Sequence, residues 1–203
     1  PYNIGIDYGE TYDDGKDAAE YQAFLLKFLS ESHRVLKTDA PIVMVVGEQA
    51  KREMLTEARA CLRQAGFKPI KMIVWFKGLQ YIPCEFILIY SKSGKYKSYY
   101  NRKDGFYSNR HFSYLWDIRY AQEENHANSD HPAYFPLRLA LKVAEILTKE
   151  NDLILDPFSG SGTTCLAARI LGRHYLGIEI NPTYAAQSRE RIKHTEDQEK
   201  LVP

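Results

Sequence analysis

The chain has 203 residues, 44% hydrophobic and 26% charged, with a formal net charge of +1 at pH 7. That is ordinary soluble composition, with length for one large or two small domains, and the balanced charge argues against a generally basic nucleic-acid binder. No run approaches the roughly 18 apolar residues of a membrane span, no secretory signal is visible, and Cys61, Cys84 and Cys165 stand isolated without CxxC spacing, so a reduced, cytoplasmic protein without membrane, disulfide framework or bound metal is expected.

Taken in chain order, residues 17–36 read as a helix. Tyr21, Phe24, Leu25, Phe28, Leu29 and Val35 recur at helical spacing, and Lys37-Thr38-Asp39 ends it. Residues 41–47, PIVMVVG, predict a buried strand, and residues 49–64 a second helix closed by Gly66. Strands follow at 70–76 and 86–90, and their short connection through Gly78 and Pro83 predicts an antiparallel pair at the sheet edge. Residues 101–130 look irregular, and 137–147 are helical. A final helix runs from Asn181-Pro182 to about Lys193, with Arg189, Arg191 and Lys193 expected on a solvated face. His126 and His131 lack a second ligand pair, so zinc is not expected.

Residues 153–184 carry the densest information. Leu153, Ile154 and Leu155 form a short run suited to a strand buried on both faces, ended by Asp156-Pro157. Phe158 and Ser159 lead into Gly160-Ser161-Gly162, whose glycines can take φ values closed to other residues and admit a ligand to the backbone. Thr163 and Thr164 open a helix with Cys165, Leu166, Ala168 and Leu171 at apolar positions, and Gly172 stops it. A strand over 175–180 then brings Glu179 to its carboxyl end, about 20 residues after the turn, where a carboxylate can accept a ribose hydroxyl pair. A dinucleotide fits poorly, because Cys165 holds the third small position of G-x-G-x-x-G/A. The bland alternative is a strand-turn-helix without ligand.

Between these regions, Lys92 to Arg119 holds seven basic and two acidic residues interleaved with Tyr96, Tyr99, Tyr100, Phe106, Tyr107, Phe112, Tyr114 and Trp116. Cations suit phosphates and rings suit stacking. Tyrosine-rich loops also pack on sheets with their hydroxyls in water.

DPFSGSGTT followed by GIEINPTY resembles the S-adenosylmethionine motifs of the DNA amino-methyltransferases that modify adenine N6 or cytosine N4, in the permuted order with the catalytic motif first. Pro1-Tyr2-Asn3-Ile4-Gly5 resembles the tail of that family's (D/N/S)PPY catalytic motif. His131-Pro132-Ala133-Tyr134-Phe135-Pro136 resembles its HPxxFP segment. A weaker likeness runs through Arg34-Val35-Leu36-Lys37, Trp75-Phe76-Lys77 and Glu85-Phe86-Ile87-Leu88, so it covers most of the chain. The polar residue and first proline of the catalytic motif are absent before Pro1, so the chain is expected to lack its start, and the target base is not legible.

The resemblance implies an α/β fold: a doubly wound, mostly parallel Rossmann-like sheet with an antiparallel edge pair. It implies S-adenosyl-L-methionine as cofactor, held by Asp156, Phe158, Gly160, Ser161, Gly162, Thr163, Thr164 and Glu179, with His131, Pro132 and Phe135 around the methionine part. Pro1 and Tyr2 belong to the catalytic motif, Tyr2 as the face on which a flipped base stacks. Residues 1–94 form the catalytic half, 95–130 a short target-recognition segment and 131–203 the cofactor half. Double-stranded DNA is the implied substrate, with a second copy or companion subunit completing so short a reader. An exocyclic amine needs no covalent enzyme intermediate, which agrees with the lack of a Pro-Cys motif. A catalytically silent DNA-binding or specificity partner with the same fold, or a methyltransferase acting on RNA or protein, remains the alternative.

Overall fold

The computed structural model describes residues 15–47, 53–78, 84–97, 113–119 and 136–193. Helix α1, Ala18–Val35, starts at Asp17, whose carboxylate accepts the Glu20 N–H at 2.9 Å. Asp at the cap with Glu three residues on is a capping arrangement that satisfies a helix donor with no partner inside the helix. Tyr21, Leu25 and Leu29 face inward, with Phe24 and Phe28 half-buried beside them. Val35, included in the apolar stripe by its spacing, is 52% exposed, because it ends the last turn.

Four strands form one sheet: β1, Ile42–Val46; β2, Lys68–Phe76; β3, Cys84–Ser91; and β4, Leu115–Asp117, in the order β1-β3-β2-β4. β3 runs antiparallel to both β1 and β2, and β4 runs parallel to β2. Thus β1, β2 and β4 share one direction and β3 opposes them. The expected antiparallel pair is β2 with β3, and β3 also pairs with β1, which places it inside this sheet. Ile70 is the extra residue of a bulge, since Pro69 pairs with Tyr90 and Lys71 with Ile89. Pro69 has no N–H to give the ladder, which is where such an irregularity is tolerated.

Period-two alternation sorts β3 between two cores. Leu88 and Tyr90 join α1 and helix α2, Met54–Gln64, on one face. Ile87 and Ile89 join Ile73, Trp75, Trp116 and helix α3, Leu137–Leu147, on the other. With helices on both faces, the sheet is doubly wound. β4 departs from the irregular pattern expected of residues 101–130. It forms since Trp116 is only 2% exposed in the second core, and the Trp75 indole N–H donates to the Ile118 carbonyl at 2.8 Å. The aromatic, basic stretch therefore divides. Trp116 is core, Tyr96 packs against that core, and Tyr114 is 74% exposed under the Lys71 ammonium.

The second sheet pairs β5, Leu153–Asp156, in parallel with β6, His174–Gly177. Between them lies α4, Thr163–Ile170, and after them α5, Pro182–Lys193. β5 is not buried on both faces as its apolar run predicted. Leu153 and Leu155 are exposed on one face, while Ile154 and Asp156 on the other are half-buried. Among the described residues, helices cover one face of this pair only. The α4 side is anchored to α3, and a small core gathers Cys165, Leu166 and Ile192 with Leu137 and Ile170. No described helix is long and apolar enough to cross a membrane.

Candidate cofactor site

β5 delivers Asp156 to the start of the glycine-rich turn. Its Oδ1 accepts the Phe158 N–H at 3.1 Å. Burial pushes the Asp156 carboxyl pKa above its usual range, with Glu179 adding to the rise. Hydrogen bonds from the Thr164 side chain and the Phe158 N–H oppose it. Asp156 as a residue keeps some solvent contact while its carboxyl lies deep.

The turn is tight. The Gly162 N–H donates to the Ser159 carbonyl at 2.7 Å, and Gly160 and Gly162 have φ of 49° and 80°. Both lie in the left-handed region that favours glycine. Gly162 caps α4 in that conformation, and a Cβ there would lie 2.1 Å from the Ser188 hydroxyl of α5. The sequence suggested that Gly162 serves mainly close approach of a ligand. Its surroundings show that helix packing demands it as well, so a branched residue there disturbs the fold and not the ligand alone.

Glu179 closes the site. β6 ends at Gly177, earlier than the strand predicted to 180, so Glu179 sits beyond the strand. Gly177 explains the approach: a Cβ there would meet the Cys165 sulfur at 2.9 Å and Ser159 at 3.0 Å. The third small position of the dinucleotide pattern is thus filled by a thiol packed on a glycine of the next strand. Burial holds that Cys165 thiol up at about 11, with Asp156 adding to the rise, so it is neutral at pH 7. One Glu179 oxygen accepts the Gly160 N–H at 2.8 Å and the other the Asn181 N–H at 2.9 Å. A carboxylate has about four acceptor positions, so each oxygen keeps capacity for a further hydroxyl. Two backbone donors fix its orientation in advance.

Phe158 is 42% exposed, and its ring meets Phe28 edge-on at 4.9 Å and Phe24 at 6.2 Å. It thereby ties α1 to the turn. Asp156, Phe158, Gly160, Ser161, Gly162, Thr163, Thr164 and Glu179 are therefore gathered around one turn. Pro1, Tyr2, His131, Pro132 and Phe135 lie outside the described residues. Ser188, Asn181 and Arg191 escaped the sequence reading. Their signal is spacing: Ser188 and Arg191 are three apart on one helix face, on the helix that starts just after Glu179. Among the described residues, no group of three or more His, Cys, Asp or Glu could hold a metal ion.

A phosphate-free nucleoside with a ribose diol and a positive charge matches this donor and acceptor set, because Glu179 and Asp156 offer carboxylates and the turn offers close backbone. The family model described as DNA methylase, covering N6 and N4 methyltransferases, matches residues 1–190, and the chain belongs to that family. It is 29% identical over 215 residues to the type II methyltransferase M.HpaI of Haemophilus parainfluenzae, covering 95% of this chain and 65% of that protein, so the chain spans a little under two thirds of this relative's length. The orphan methyltransferase M.BamHII of Bacillus amyloliquefaciens is 27% identical, covering 95% of this chain and 91% of its own. Among solved structures, TTHA0409 of Thermus thermophilus, a DNA modification methylase complexed with S-adenosyl-L-methionine, superposes with a TM-score of 0.65. It is 28% identical over 87% of this chain and 79% of its own.

Proposed function

We propose that the protein methylates an exocyclic amine of double-stranded DNA, adenine N6 or cytosine N4, at specific sites, with S-adenosyl-L-methionine as methyl donor. The observation that carries this reading is the Glu179 carboxylate, held by the Gly160 and Asn181 N–H groups at the mouth of the glycine turn, in a chain of the DNA methylase family. When bound, the cofactor supplies a methyl group on a positively charged sulfur, which a neutral amine can attack without a covalent enzyme intermediate.

The chain's own residues have separable tasks in this reading. Glu179 accepts the ribose hydroxyls, and ionised Asp156 supplies negative charge near the turn. His131, Pro132 and Phe135 line the methionine end. Pro1 and Tyr2 belong to the base end, where the Tyr2 ring holds a base that has left the duplex at a cost of about a few kcal/mol. Residues 1–94 act as the catalytic half, 95–130 as the reader of the target site and 131–203 as the cofactor half. The reader is short, and part of it, Trp116, is core. A second copy or a companion subunit extends it, in a cytoplasmic restriction-modification setting.

Incubating the full-length protein with duplex DNA and methyl-labelled S-adenosyl-L-methionine, then analysing the nucleosides, tests this. N6-methyladenine or N4-methylcytosine is expected, and which of them appears assigns the base. Label on RNA or protein alone would move the enzyme to another substrate. Tight cofactor binding with no transfer to any acceptor would make the chain a silent specificity partner.

A further inference from the structure

The sequence places Arg191 on a solvated helix face, and the structure turns it inward. Its Nη1 donates to the Thr163 hydroxyl at 3.0 Å, the Ser161 carbonyl at 3.2 Å and the Ser161 hydroxyl at 3.4 Å. We infer that Arg191 is a positioning residue for the cofactor, locking the glycine-rich turn from α5. This rests on the reading of that turn as the S-adenosyl-L-methionine site.

Three further contacts make the lock a closed ring. The Asn181 N–H bonds to Glu179, and the Asn181 side chain accepts the Thr183 N–H at 2.9 Å, which starts α5 in a fixed direction. One turn before Arg191, Ser188 fills the space that a side chain at Gly162 would need. Glu179 in turn takes the Gly160 N–H. The path runs from Gly160 through Glu179, Asn181 and α5 to Arg191, and returns to Ser161 and Thr163. The turn is thus pinned on both sides of Gly162 before any ligand arrives, so binding need not supply its ordering.

The chemistry of the side chain argues for positioning over attraction. Arg191 is a cation, and the methyl donor also carries positive charge on sulfur, so a field effect would weaken binding. A guanidinium holds several acceptors in a rigid plane, whereas a lysine ammonium is a point charge on a flexible stem. Arg191 therefore acts through the geometry of Ser161 and Thr163 and touches the cofactor only through them.

Calorimetry on the full-length protein with S-adenosyl-L-methionine and with S-adenosyl-L-homocysteine, which lacks the positive sulfur, separates the two effects. Arg191→Met should weaken both ligands by the same factor, about tenfold to a hundredfold for lost charge-assisted hydrogen bonds. Arg191→Lys should recover part of that loss for both. Circular dichroism on each variant reports whether it is folded. A folded Arg191→Met that binds both ligands within about twofold of the unsubstituted protein overturns the inference, as does a change in one ligand only. If Arg191→Met does not fold, Arg191→Lys decides: weakened binding of both ligands supports positioning, and unchanged binding reduces Arg191 to a structural residue. Failure of the unsubstituted protein to bind either ligand would overturn the cofactor reading itself.

Discussion

β3 and β6 are both strands rich in apolar residues, yet five of the eight residues of β3 are buried while all four of β6 are exposed. The difference lies in what surrounds each. β3 has a strand on either side and helices on both faces, so Ile87, Leu88, Ile89 and Tyr90 all lose their water. β6 has β5 on one side and α4 on one face, and Leu176, Ile178 and Ile180 keep theirs. The first half is held mainly by apolar burial. The second is held to a greater degree by polar ties that are also the parts of the site: Glu179 to Gly160 and Asn181, Arg191 to Ser161 and Thr163, and Arg173 to the end of α3 at Thr148. Stability and binding should therefore respond to different residues.

The largest effect should come where both kinds of support meet. Gly162→Val places a branched side chain at φ 80° against Ser188, which adds backbone strain of about 1–3 kcal/mol to overpacking of similar size. Cofactor binding should vanish in calorimetry, and thermal unfolding should shift downward. Normal binding by this variant would make the turn a plain connection.

Ile87→Ala tests the first half by itself. The side chain is fully buried, so stability should fall by about 2–5 kcal/mol in denaturant titrations. The folded protein should bind cofactor with unchanged affinity. A large loss of affinity would join the two halves into one energetic unit.

Glu179→Ala removes the acceptor of two backbone donors and, in the proposed site, of two ribose hydroxyls. Affinity should drop by about tenfold to a hundredfold, given roughly 1.5–3 kcal/mol for hydrogen bonds to a charged group. Isothermal titration against the unsubstituted protein would show it, and equal affinities would take Glu179 out of the site.

The smallest effect concerns pH. Burial raises the Asp156 carboxyl above its ordinary value of 3.8. The folded state thus holds that proton more tightly than the unfolded one. This group's contribution favours folding at low pH and is lost as pH rises from the ordinary value through the raised one. Affinity for a cationic cofactor has the opposite sign, weakening as pH falls through the raised value because the carboxylate loses its charge. Asp156→Asn should flatten both profiles, measured by pH-dependent unfolding and titration. An unchanged binding profile would show that Asp156 does not serve as the counter-charge.

Much of this was legible in the residues themselves. Helical spacing located α1, α3 and α4, and α3 begins and ends where periodicity placed it, since apolar stripes and caps are local features. Asp156, the glycine turn and Glu179 were legible because backbone conformations closed to other residues and a carboxylate at fixed spacing leave direct marks on sequence. β4 was not, because three residues carry too little pattern, and only the packing of Trp116 against Trp75 and Ile118 makes a strand of them. Nor could local pattern show that β5 would leave Leu153 and Leu155 open, since burial depends on which elements lie over a face. The inward turn of Arg191 was decided by tertiary structure alone. Its neighbours Arg189 and Lys193 do face water, and what separates Arg191 from them is the direction in which Asn181 launches α5 across the glycine turn.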